Sequence, residues 1–209
     1  MRSTERPGWI LRPGVAGWTA LTVGGFFLSS LLSLGQPGPP LTRIMIALLS
    51  ILGPWVLQAL GLCRSAACAM EWAALSATGE VVALSLICAL PSWRDQVIHL
   101  DWLGRYWPID PSFESLWCYL GIGVLVGLGQ AVWLRRTRIS HVKWVAILAG
   151  SYCSGWVVAR ALTLALAHFR VGSALPYVIA GIAAECVIGL LFGVIGGRTL
   201  MAAASRAPV

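Results

Sequence analysis

Residues 15–36, VAGWTALTVGGFFLSSLLSLGQ, run for 22 positions without a charged side chain. At 1.5 Å of helical rise per residue, about 20 apolar residues cross the hydrocarbon of a bilayer. The rest of the chain extends this reading. Residues 81–93 also lack any charge, and the 209 residues are 58% hydrophobic and only 11% charged. A soluble domain covers its core with roughly a quarter charged residues. The composition therefore excludes a soluble fold. The long runs without alternation exclude a transmembrane β-barrel. The expected fold class is all-α: one polytopic domain over 1–209 with six transmembrane helices.

Spans are predicted near 14–35, 42–62, 67–90, 116–134, 143–167 and 175–197. Gln36-Pro37-Gly38-Pro39-Pro40 breaks the first from the second, because consecutive prolines remove backbone donors and a helix with them. Residues 63–66 and 135–143 form short polar or basic connections, and Pro176 suits the first turn of the last helix. Lys and Arg then orient the bundle. The N-terminus, the second–third turn, the fourth–fifth turn and the C-terminus hold ten, against four on the other side (Arg43, Arg94, Arg105 and Arg170). Basic loops stay cytoplasmic, which predicts both termini inside, in a bacterial inner membrane. The net charge of +7 is then a topology signal aided by anionic headgroups, and no nucleic-acid partner is implied.

The outer connection 91–115 carries Trp93, Trp102, Trp107, Asp95 and Asp101. Two readings stand for it: tryptophans settling in the headgroup region, or an amphipathic interfacial segment acting as a lid or docking surface.

A segment recurs at an offset of 72 residues. Gln58, Leu62, Arg64, Trp72, Ala74 and Ala77 match Gln130, Leu134, Arg136, Trp144, Ala146 and Ala149, within 48–90 and 120–162. The offset spans an even number of helices, so the expectation is a duplicated, parallel helical-hairpin repeat. The matched residues have an anchoring reading: amides linking neighbouring helices, arginines at the inner face and tryptophans at headgroup level. The other reading is a polar contact between Gln58 and Gln130 at the pseudo-axis.

Gly127-Leu128-Gly129-Gln130-Ala131-Val132-Trp133-Leu134-Arg135-Arg136, followed by Trp144 and Gly155-Trp156, resembles a pattern of small bacterial multi-pass membrane proteins with duplicated G-x-x-Q…L-R-R…W hairpins. The resemblance implies a shared membrane fold and no assigned chemistry. The first copy follows it loosely, with Cys63 where an arginine would stand.

Small residues recur at helical spacing: Gly181, Glu185, Gly189, Gly193 and Gly197 on the last helix, Gly123, Gly127 and Ala131 on the fourth, Ala16, Ala20 and Gly24 on the first. Such stripes let helices approach closely in lipid, within the bundle or against a partner. The last stripe contains Glu185, and Glu80 lies at matching depth, both about 20 Å from the inner interface, with Arg160 at about 27 Å. An unpaired charge at that depth costs on the order of 3 kcal/mol or more. The expectation is a buried polar cluster of Arg160 with Glu80, Glu185 or both, read either as a register-fixing ion pair or as a functional site.

The six cysteines lack C-x-x-C spacing and are read as small buried hydrophobes. His99, His168 and Arg170 are read as interfacial groups, with metal or cofactor ligation by either histidine as the sharper alternative. No catalytic motif is present, so neither an enzyme nor a cofactor is predicted. The leading functional reading is a non-catalytic accessory or assembly subunit that packs against other integral membrane subunits. The alternative is a small-molecule binding or transport component with an anion site at Arg160 under 91–115. Its size and six spans resemble the substrate-binding subunits of energy-coupling-factor transporters, and Ala16-x-x-x-Ala20 is compatible with them.

Overall fold

The computed structural model describes residues 14–34, 40–63, 65–89, 113–135, 137, 139–167 and 175–205. The Trp-rich connection lies outside the described residues up to 112, as do His99, His168, Arg170 and both chain ends. The described residues are all-α. Helix α1 covers Gly14–Leu34, α2 Pro40–Leu62, α3 Ala66–Ala89, α4 Phe113–Leu134, α5 His141–Ala167 and α6 Leu175–Leu191. A π-helical turn, Phe192–Gly196, leads from α6 into α7, Gly197–Ala204.

Five segments are long and apolar enough to cross a membrane: Gly14–Leu32, Met45–Leu62, Leu116–Leu134, His141–Leu166 and Val178–Ala204. Helix α3 is not among them; it carries Glu71 and Glu80 and packs between α2 and α4. The outward faces are apolar, with Leu28, Leu60, Leu86, Leu128, Val157 and Leu190 all exposed. A surface of this kind is stable against lipid and not against water. The chain is an integral membrane protein.

The helices form a closed ring in chain order. Each packs against its neighbours in sequence, and α6 returns to pack against α1. The start of α1, the α2–α3 and α4–α5 turns and the end of α7 share one end, here the hairpin end. There Trp18 meets Gly197, and Trp72 meets both Trp133 and Trp144. The last helical segment runs to Ala204, beyond the expected 197. The π-turn continues it without a break, because its flanking residues keep right-handed helical dihedrals. Phe192, the first residue of that turn, is buried edge-on between Trp18 at 5.3 Å and Trp144 at 5.5 Å.

Close approach depends on absent side chains. A Cβ built on Gly123 would meet the Ala149 Cα at 2.8 Å, and one on Gly127 the Val145 Cα at 3.0 Å. On the other side of the ring, Gly189 would meet the Val23 Cα at 2.9 Å and Gly193 the Thr19 Cα at 2.8 Å. These stripes therefore seat α4 on α5 and α6 on α1. Gly181 is buried, whereas Ala16, Ala20 and Gly24 of α1 face outward.

The geometry separates two glycine substitutions. Gly123→Ala forces backbone apart and is expected to destabilise the detergent-solubilised protein by about 1–3 kcal/mol. Gly150→Ala meets nothing within 4 Å and is expected to be neutral or to stabilise by about 0.5–1 kcal/mol through helix propensity. Thermal unfolding of the two variants in one detergent measures both.

Candidate functional site

The centre of the ring carries one polar layer to which all six helices contribute. Trp55 of α2 donates from Nε1 to the Glu80 Oε2 of α3 at 2.6 Å. Phe26 of α1 lies edge-on to Trp55 at 5.6 Å and to Tyr152 of α5 at 6.3 Å. Glu185 of α6 is within electrostatic reach of Glu80, which comes from the opposite side of the ring. Tyr152 lies within reach of both carboxyls and of Tyr119 on α4, and Tyr119 within reach of Glu185. Two carboxyl groups thus lie within electrostatic reach of each other in a layer that carries four aromatic side chains. Both glutamates are half-buried, and Trp55, Tyr119 and Tyr152 are buried.

Local sequence explains why these side chains point inward. In lipid both faces of a helix can be apolar, so a carboxyl lowers its free energy only by turning to protein partners. Glu80 follows Gly79, whose Cβ would meet the Val126 Cα at 2.8 Å, so α3 presses this edge onto α4. Glu185 follows Ala184, which packs against Gly155 of α5. Arg160 lies eight residues beyond Tyr152 along α5, about 12 Å further from the hairpin end by helical rise, and is half-buried. Glu80 and Glu185 thus come within electrostatic reach of each other. Tyr119 and Tyr152, which lie within electrostatic reach of these carboxyls, are side chains that sequence reasoning missed.

A second layer, nearer the hairpin end, is aromatic. Trp72 is edge-on to Trp133 at 5.2 Å and to Trp144 at 6.2 Å. Trp72 and Trp144, placed at headgroup level by the sequence, are fully buried in the bundle. The matched glutamines are also fully buried there, but in different circumstances. Gln130 donates from Nε2 to Ser76 Oγ at 3.0 Å and accepts from Trp144 Nε1 at 3.0 Å. The Gln58 amide has no hydrogen-bond partner at either atom, and Trp72 Nε1, the counterpart of Trp144 Nε1, has none. A contact between the two amides, the alternative reading of the match, is not formed. Buried hydroxyls satisfy themselves locally: Thr22, Ser30 and Ser76 each donate to the carbonyl four residues earlier.

Cysteine use departs from the sequence reading. Cys63 and Cys68 form a disulfide with Cα atoms 5.6 Å apart, while Cys118, Cys153 and Cys186 are not disulfide-bonded. Spacing alone conceals the pair, because five positions of separation close into bonding distance only when a helix ends and the next begins between them. Among the described residues, no group of three or more His, Cys, Asp and Glu side chains could hold a metal ion.

No family model matches the chain, and no curated protein or solved structure shows significant similarity to it.

The two glutamines give a paired test. Gln130→Leu leaves Trp144 Nε1 without its acceptor and is expected to destabilise by about 1–3 kcal/mol. Gln58→Leu removes an amide that has no partner and is expected to be neutral or stabilising. Equal losses in denaturant or thermal unfolding contradict the assignment.

Proposed function

We propose that this protein is a non-catalytic binding component of a bacterial inner membrane, with the hairpin end in the cytoplasm and an organic cation as the ligand of its central layer. One observation carries the reading: carboxyl groups from opposite helices, Glu80 and Glu185, lie within electrostatic reach of each other in a layer that also holds Phe26, Trp55, Tyr119 and Tyr152. Carboxylates supply the counter-charge for an ammonium group, and aromatic faces add cation–π attraction of about 0.5–2 kcal/mol per contact. The orientation follows the basic residues at the hairpin end, of which Arg135, Lys143 and Arg198 are exposed.

This reading reverses the ligand charge suggested by Arg160 alone, since two carboxyls and two phenols share the central layer. The accessory-subunit reading keeps one supporting observation. Gly123, Gly127, Gly189 and Gly193 are engaged inside the ring, but Ala16, Ala20 and Gly24 present a small-residue stripe outward on α1. A helix of another integral membrane subunit would fit that stripe.

Thermal unfolding of the purified protein separates the readings. Tetramethylammonium and primary alkylamines are expected to raise the melting temperature saturably, with about 2.7 kcal/mol of stabilisation at a hundredfold excess over Kd. Glu185→Gln is expected to abolish the response while the protein stays folded. Stabilisation by organic anions that survives Glu185→Gln and disappears in Arg160→Gln overturns the proposal in favour of the anion site. A lack of response to any small ion, with stable co-elution of larger membrane subunits, overturns it in favour of the accessory role.

A further inference from the structure

Cys63 closes the end of α2 and Cys68 lies in the first turn of α3, joined by a disulfide with four residues between them in the sequence Cys63-Arg64-Ser65-Ala66-Ala67-Cys68. Ser65 caps α3: its Oγ accepts a hydrogen bond from the Cys68 backbone N–H at 3.2 Å. A sulfur in that first turn sits at the positive end of a 24-residue helix, which favours its thiolate form. The two sulfurs also differ in access. Cys63 is 8% exposed, whereas Cys68 is half-buried at the rim.

The hairpin end is also where the basic residues collect, which places it in the cytoplasm. Structural disulfides do not persist there, and those that form are transient, catalytic or redox-sensing. We infer that Cys63 and Cys68 are a thiol–disulfide exchange site, with Cys68 the attacking sulfur, Cys63 the resolving one, and a low-molecular-weight disulfide of the glutathione type as substrate.

The exchange balances in two steps. The Cys68 thiolate attacks one sulfur of the small disulfide, whose S–S bond breaks; a thiolate leaves and takes up a proton, and Cys68 holds the other half as a mixed disulfide. Cys63, having released its proton to water, attacks the Cys68 sulfur, and the second small thiolate leaves. Two electrons pass from the cysteine pair to the substrate, which emerges as two thiols. An excess of small thiol drives both steps backward and restores the dithiol. The outcome ties or releases the junction between α2 and α3, the helices that carry Trp55 and Glu80.

Thiol trapping in intact bacterial cells expressing the full chain tests the inference. After acid quenching and denaturation, a mass-tagged maleimide is expected to add to all six cysteines in untreated cells. Diamide should remove two adducts, reversibly, and this loss should be absent in Cys63→Ser. In purified protein whose other four cysteines are alanine, Cys63→Ser is expected to retain one glutathione as a mixed disulfide. Cys68→Ser should capture it at least tenfold more slowly. A pair already oxidised in untreated cells overturns the inference in favour of a permanent staple. A pair that stays reduced under diamide overturns it outright, and equal capture by the two serine variants overturns the assignment of roles.

Discussion

The hydrogen bond from Trp55 Nε1 to the Glu80 carboxyl, with Glu185 within electrostatic reach from the other side of the ring, is the constraint from which the rest of the bundle follows. A carboxyl at mid-membrane is tolerated only where protein supplies its partners. That requirement fixes the rotation of α3 and α6 about their axes, which apolar sequence leaves undetermined. Once both glutamates face the centre, α4 and α5 must present phenols there, and α1 and α2 large aromatic rings. The glycine contacts of α4 on α5 and of α6 on α1 draw the ring tight enough for these side chains to meet across it.

The two layers solve the same problem differently. At the hairpin end, bulk fills the ring: Trp18, Trp72, Trp144 and Phe192 contact one another edge to face, with the Trp72–Trp144 pair reaching across from α3 to α5. Gln130 ties this layer together, accepting from Trp144 and donating to Ser76, so α3, α4 and α5 share one hydrogen-bond chain. On the α2 side no such chain forms; Gln58 and Trp72 Nε1 are buried without partners. Residues that match in sequence therefore play unequal parts in the fold. The difference lies with their neighbours: Ser76 stands within reach of Gln130, and nothing equivalent reaches Gln58.

Hydropathy made the helices legible, because crossing a bilayer imposes a length and a near-absence of charge. The observed elements begin and end within about three residues of the expected spans, apart from the last, which a π-turn carries to Ala204. Depth follows from counting residues for the same reason: Glu80 and Glu185 fall at one level, and Glu185 lies within electrostatic reach of Glu80. Rotation was not legible. When lipid and core are both apolar, periodicity no longer marks an inner face, so Ala16, Ala20 and Gly24 could be read as packed while they face outward. Tyr119, Tyr152, Trp55 and Phe26 gave no sign of converging, since an aromatic residue in an apolar helix suits the core, the lipid and the headgroup region alike. The Cys63–Cys68 bond depends on where α2 stops, to within a single turn, which is finer than sequence boundaries resolve.

A double-mutant cycle between Glu80→Gln and Glu185→Gln, followed by unfolding in a mild detergent, tests the central layer most directly. If the two carboxyls share one site, the stability changes are non-additive, with a coupling on the order of 0.5–3 kcal/mol. Additive changes, each indifferent to the other substitution, contradict the convergence of α3 and α6 at the ring centre.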